Sequence, residues 1–411
     1  METQDIKQVL KTKGVQMPCP ESVEIGPGVV AERISGEGVT IHTGCKIFGE
    51  KTLIMSRSEI GLEAPATLSN CQLGPEVQLK GGFYNESTFL QGSSVGSGAQ
   101  VREGCLLEEG TSCAHTVGLK QTILFPFVVL GSLINFCDCL MAGGTDRKNH
   151  SEVGSSYVHF NYTPNQDKAT ASLIGDVPYG VMINQKPIFL GGQGGMVGPV
   201  KIAYGTVVAA GTIVRKDVLK GDMILLGHAS YNRSISFTPG LYTNVRRIIR
   251  LNTEYIANLI ALKRWYLEVR SRFMGFDKME KALFRGAIEK IDSAFKERVR
   301  RLGDVASRMP KSVDIFNKTY GGATSSPGLK LKMDFYKKWP DLETAFSKVM
   351  EYTGDTSKRD QFLGIIEKAI EKRGENYIDA MKGLTPSESE AGTIWLKGIV
   401  DETKSRISSI L

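Results

Sequence analysis

No apolar run in this chain approaches the ~18 residues that a membrane-spanning helix requires, so no span is expected. The opening residues, METQDIKQVLKTKG, carry no apolar stretch behind their charges, which argues against a secretory signal. The seven cysteines all precede residue 140, and none has paired metal-ligand spacing. Without an export signal, reduced thiols in a cytoplasm are the expected state. Histidine is scarce, with five copies, and forms no cluster that would hold a metal. The stretch GGQGG (191–195) is followed by no lysine-serine and sits in no strand–helix unit. It reads as a backbone turn rather than a phosphate or dinucleotide loop.

The 411 residues are 41% hydrophobic, enough for a packed core, and the length suggests two or three domains. Composition divides the chain. Residues 1–240 hold 33 of the 45 glycines and all the cysteines, with 19 Lys/Arg against 21 Asp/Glu. Residues 241–411 hold 12 glycines, with 32 Lys/Arg against 23 Asp/Glu. The expected boundary is Tyr231–Leu241, which ends in SFTPGLYT. The expected organisation is a short N-terminal segment (1–20), a β part (21–230) and a basic α-helical domain (241–411).

The β part is a solenoid by its periodicity. Apolar residues recur every six positions at Val95, Val101, Leu107, Cys113 and Leu119, and again at Met196, Ile202, Val208 and Val214. Ile41/Ile47 and Leu73/Leu79 keep the same step. A period of six fits neither a helix nor a simple alternating strand. It fits short strands joined by tight turns, with Gly at corners supplying conformations other residues resist. Three such faces close one coil of about 18 residues, the hexapeptide class of parallel β-helix.

Arg102 and Lys120 are then one coil apart, each following an inward apolar residue, and should stack on one wall. Asp138 is a further 18 on and would extend the column. A phosphate held between the two cations is one reading. A solvated ladder neutralised by Asp138 and nearby Glu is the other. His42, His115, His150 and His159 share no multiple-of-18 register, which argues against a metal built from neighbouring coils.

Three stretches in order, GLKQTILFPFVVLGSLINFCD (118–138), GSSYVHFNYTPNQDKATASLIGD (154–176) and GPVKIAYGTVVAAGTIVRKDV (198–218), carry a more specific pattern. Over roughly residues 20–225 the chain resembles the hexapeptide-repeat acyltransferases. It is most similar to the acetyltransferase half of the bifunctional UDP-N-acetylglucosamine pyrophosphorylase/glucosamine-1-phosphate N-acetyltransferases. The resemblance implies a left-handed β-helix, a homotrimer with sites in clefts between prisms, and acetyl-CoA as acyl donor. Arg102 and Lys120 match the family's sugar-phosphate pair, and Lys168 matches a third cation. Asn161 and Tyr162 match its Asn-Tyr loop, which ends at Ile174-Gly175-Asp176. Lys216, with Arg215 beside it, matches the basic residue near the coenzyme A phosphates.

The pattern also departs from the family. The family's catalytic histidine falls at Ser132, and its following Tyr at Asn135. Acyl transfer to an amine needs a proton acceptor. His159, two residues before Asn161, is the expected substitute, and His150 lies in one of two added excursions (142–152 and 184–195). A His packed beside the loop and bonded to backbone is the alternative for His159. No nucleotidyltransferase loop precedes the repeats, so UTP chemistry is not expected.

Beyond residue 241, apolar stripes predict a helix of about thirty residues from Val245 to Phe273 and a second from Leu283 to Leu302. The stretch 308–330 reads as a long loop. The resemblance implies that such an extension caps the prism end. Arg246, Arg247, Arg250, Lys263, Arg264, Arg270 and Arg272 make the first helix basic. Its charges scatter round the helix, which favours polar packing against the acidic β part over nucleic acid or a membrane surface. The expected function is acyl-CoA-dependent N-acylation of an amino sugar phosphate, towards UDP-N-acetylglucosamine. The alternative is a non-catalytic β-helix that binds sugar phosphates or nucleotide sugars, or that scaffolds partners.

Overall fold

The structure, a computed structural model, describes residues 3–227, 234, 236–320 and 327–411. Much of the expected boundary at Tyr231–Leu241 therefore lies outside the described residues.

The β part is a parallel solenoid with three faces. The first face is a ten-stranded sheet running from Thr40–Ile41 to Ile224–Leu225. The second carries Ala99–Val101, Val158–Phe160, Gly195–Val197 and Ile213–Val214, among others. The third carries Leu53–Ile54, Thr88–Phe89, Leu106–Leu107 and Ser172–Ile174. The strands Gly118–Leu124 and Asn135–Met141 bend from the second face into the third.

The six-residue phase is the phase of the core. Val95, Val101, Leu107, Leu119, Met196, Ile202, Val208 and Val214 all point inward and are at most 1% exposed. Corners need left-handed backbone. At the corner between the second and third faces that role falls to Asn70, Glu86, Gly104, Gln121 and Asp138, all with positive φ. Glycine takes φ +81° at Gly104 without strain, and a Cβ there would push the Gln121 amide aside. Other corners mix glycines, such as Gly92, Gly98, Gly110, Gly205 and Gly211, with side chains that tolerate the region.

Coil length is not constant. Val101 pairs with Leu119, eighteen residues on, but Leu119 pairs with Phe136, seventeen on. The hairpin formed by Gly144–Asp146 and Asn149–His150 is the first added excursion. The second differs from expectation. Phe189–Leu190 and Gly195–Val197 are regular rungs, and the chain leaves the coil earlier, over 175–188.

Helix α1 (Thr3–Lys13) closes the first coil, burying Leu10, and Lys13 donates to the Ala31 and Ile34 carbonyls. Helices α2 (Val245–Glu268) and α3 (Lys278–Ser307) lie along the third face rather than over a prism end. They cover an outward ladder of Leu53, Leu106, Ile123, Leu140 and Leu173. The expected loop at 308–330 contains two helices, Met309–Tyr320 and Pro327–Lys337. Their prolines, Pro310 and Pro327, sit in first turns, where no backbone N–H is needed.

Candidate active site

The second face is open, and its edge nearest α3 carries one residue per coil: Arg102, Lys120, Cys137, Phe160, Val197 and Arg215. The Arg102 N–H donates to the Leu119 carbonyl at 2.8 Å, so Arg102 and Lys120 lie on one wall. Glu103 Oε1 accepts from Lys120 Nζ at 2.5 Å. Burial opposes charge on Glu103, but the bond from Lys120 and the two cations outweigh it and hold its carboxyl below the usual range. Arg102 reaches past the next coil to the Cys137 sulfur at 3.9 Å.

Asp138 does not extend this column. The seventeen-residue coil sets Cys137 opposite Lys120 and puts Asp138 at the left-handed corner. There it is buried and accepts from Arg298 of α3 at 2.6 Å and from Asn161 Nδ2 at 3.2 Å. Glu103 takes the neutralising place expected of Asp138.

The same corner gathers the Asn-Tyr loop. Arg298 Nη1 donates to the Lys168 carbonyl at 3.2 Å. The Tyr242 hydroxyl donates to Asp167 at 2.9 Å, and Asn252 Nδ2 donates to the Ala169 carbonyl at 2.9 Å. Arg102, Lys120, Asn161 and the Lys168 carbonyl are thus brought around Cys137 and Asp138. Tyr162 stands apart, 57% exposed.

His159 falls on an inward position, in line with Phe136 and Met196 of the core ladder. Its Nδ1 lies 2.6 Å from the Cys137 carbonyl and its Nε2 2.8 Å from Ser172 Oγ, which accepts the Val200 N–H. Desolvation pushes its pKa down to about 4. This is the backbone-bonded packing histidine of the two expected alternatives: no ring nitrogen faces the open wall to take a proton. His150 Nδ1 lies 2.9 Å from the Arg147 carbonyl in the hairpin, away from this edge.

At the opposite edge of the second face, Ser132 Oγ lies 2.9 Å from His115 Nδ1. The sequence reading missed this pair because it assumed an eighteen-residue period. Ser132 is seventeen residues beyond His115, and that coil is one residue short.

Arg215 and Lys216 are exposed, four strand spacings (~19 Å) from Lys120 along the second face. Between them lie Phe160 and Val197, 43% and 37% exposed. The neighbouring Asp217 is taken by Arg247 at 3.0 Å and Arg250 at 2.6 Å. Arg270 pairs with Glu109, and Lys263 with Asp292 at 2.9 Å. Much of the basic helix is therefore spent on polar packing.

Between α3 and the edge that carries Lys120 runs a groove of about 1030 Å³. Lys290 lines it, 6% exposed and with no ion-pair partner among the described residues. Burial holds this lysine below its usual pKa range. Among the described residues no three His, Cys, Asp or Glu side chains are grouped to hold a metal ion, and no helix is long and apolar enough to cross a membrane.

No family model matches the chain. Curated relatives include the bifunctional protein GlmU of Pelobacter propionicus, 27% identical over 229 residues, which are 56% of this chain and 44% of the relative. That of Oleidesulfovibrio alaskensis is 25% identical over 213 residues, 52% of this chain and 41% of the relative. The chain therefore spans less than half the length of these relatives. Among solved structures, LpxA from Acinetobacter baumannii is 12% identical, with a TM-score of 0.26, covering 79% of this chain and 95% of that one. The chain is a hexapeptide-repeat protein whose solenoid resembles the acetyltransferase half of GlmU.

Proposed function

We propose that this chain transfers an acyl group from acyl-CoA to the amine of an amino sugar phosphate, in the manner of glucosamine-1-phosphate N-acetyltransferases. The observation that carries the reading is the stacking of Arg102 and Lys120 on consecutive rungs of an open wall. In this reading Arg102, Lys120 and Lys168 hold the phosphate, displacing Glu103 from Lys120. Asn161 and Tyr162 position the sugar. Arg215 and Lys216 meet the phosphates of acetyl-CoA, and the apolar interval at Phe160 and Val197 takes its arm. Backbone N–H groups stabilise the oxyanion. Two exposed walls leave room for a homotrimer with clefts between prisms, working in the cytoplasm towards UDP-N-acetylglucosamine.

Incubation with acetyl-CoA and glucosamine 1-phosphate, followed by release of free thiol, tests the reading. Arg102→Ala is expected to raise the KM for the phosphorylated acceptor about 10- to 100-fold, the worth of a charged hydrogen bond, and to leave the KM for acetyl-CoA unchanged. A non-catalytic binder is the second reading, favoured by the Glu103 carboxylate already seated on Lys120. Tight binding of the sugar phosphate without thiol release would establish it instead.

A further inference from the structure

Four of the five histidines lie among the described residues, and their surroundings differ. His159 is sealed in the core with both ring nitrogens engaged. His42 is paired to Glu59 at 3.1 Å, about 19 Å from His115 at four strand spacings. His150 is bound to its own hairpin and lies 3.7 Å from Glu152. His115 is exposed; its Nδ1 meets Ser132 Oγ at 2.9 Å, and no partner is present for its Nε2 among the described residues.

The edge that holds His115 is a ladder of small residues. Ser97, His115, Ser132 and Ser155 follow one another on consecutive coils. The Ser132 N–H donates to Ser155 Oγ at 3.2 Å, and the Leu133 N–H donates to the His115 carbonyl at 3.1 Å. Gly131 beside Ser132 cannot gain a Cβ, which would lie 2.9 Å from Ser155 backbone and side chain. The Ser132 backbone is therefore held from the coil above, while its hydroxyl meets the imidazole of the coil below. His115 lies in the turn that leads into the strand Gly118–Leu124, which carries Lys120. The two are five residues apart, at most about 18 Å of extended chain.

We infer that His115 is the proton acceptor of this site and that Ser132 positions it. The inference rests on the acyl-transfer reading. When Nδ1–H donates to Ser132 Oγ, the Nε2 lone pair is left free to accept a proton. The amine nitrogen attacks the thioester carbonyl carbon, the C–N bond forms and the C–S bond breaks. His115 Nε2 takes the proton lost by the amine and passes it to the departing sulfur. The products are the amide and free coenzyme A thiol, and the imidazole returns neutral. Ser132 occupies the position at which the resembled family has its own histidine, so the ring arrives from the neighbouring coil instead.

The test is thiol release by the full chain with acetyl-CoA and glucosamine 1-phosphate. His115→Gln is expected to lower kcat by about 10²–10⁴-fold, the range for losing a general base, with both KM values little changed. Ser132→Ala is expected to lower kcat less. The double variant H115Q/S132H, with the ring moved to the next coil, is expected to regain part of the loss. Thermal melting of each variant is the control that the substitutions leave the fold intact. An unchanged kcat in His115→Gln overturns the inference while the transfer reading stands. No thiol release by the wild-type chain overturns both.

Discussion

The second and third faces of the solenoid are laid down by the same coils, yet their outward ladders differ. On the third face Leu53, Leu106, Ile123, Leu140 and Leu173 point outward and are at most 3% exposed beneath α2 and α3. On the second face the equivalent positions include Lys46, Phe83, Gln100 and Asn135, all exposed, with the half-buried Val158 and Ile213. Each buried outward residue is followed by an inward one, giving the doublets Leu53-Ile54, Leu106-Leu107, Ile123-Leu124, Leu140-Met141 and Leu173-Ile174. A strand apolar on both sides is covered on both sides, whereas a polar–apolar pair keeps one side wet. The doublets cluster on the wall that the helices cover, although Ile213-Val214 on the second face shows that a doublet alone does not mark it.

The comparison breaks most sharply at the corner between the two walls. Arg298→Ala leaves Asp138 buried and unpaired and is expected to cost about 3–5 kcal/mol, read by urea unfolding. A double replacement of Asp138 and Arg298 by apolar residues is expected to recover much of that loss. Stability unchanged in Arg298→Ala would mean that α3 does not depend on this corner.

Acid probes the core behind the open wall. His159 has an ordinary pKa of 6.5 and is held down to about 4 by desolvation, so the unfolded chain binds a proton that the folded chain refuses. Its contribution is complete above pH 6.5 and is lost as pH falls toward 4. At full extent this is on the order of 3 kcal/mol. His159→Asn is expected to flatten that part of the pH–stability curve. An acid limb of the same steepness would show that His159 does not set it.

The smallest contrast lies in single outward side chains. Ile123→Val on the covered wall is expected to cost about 1 kcal/mol, and Val197→Ala on the open wall less than about 0.5 kcal/mol. Equal losses, measured by denaturant midpoints, would erase the distinction between the walls.

The repeat was legible in the sequence because an inward residue has no alternative to the core. Val95 through Leu119 keep the phase for that reason. What failed was anything that depended on coil length. One residue fewer between Leu119 and Phe136 moved Asp138 into the corner and brought Ser132 above His115. Nearness to the Asn-Tyr loop left two readings open for His159, and its place in line with Phe136 and Met196 makes it the packing histidine. The apolar doublets were visible, but a six-residue template counts only their inward members. The packing of α2 and α3 along a wall was therefore not read, and the helices Met309–Tyr320 and Pro327–Lys337 fell within a stretch read as a loop.

Helix α3 also acts as a gauge. Gly286 lies against Gln72, where a Cβ would come 2.6 Å from its amide oxygen, and Arg298 twelve residues later grips Asp138. Those twelve residues rise about 18 Å. The coils of Gln72 and Asp138 are four spacings apart, about 19 Å. Repeat arrays ordinarily grow or shrink by whole units. Here the loss of one coil would leave the helix overlong by about 5 Å, roughly three residues, with its gripping side turned off the edge. The number of coils in this stretch is tied to the span of a single straight rod.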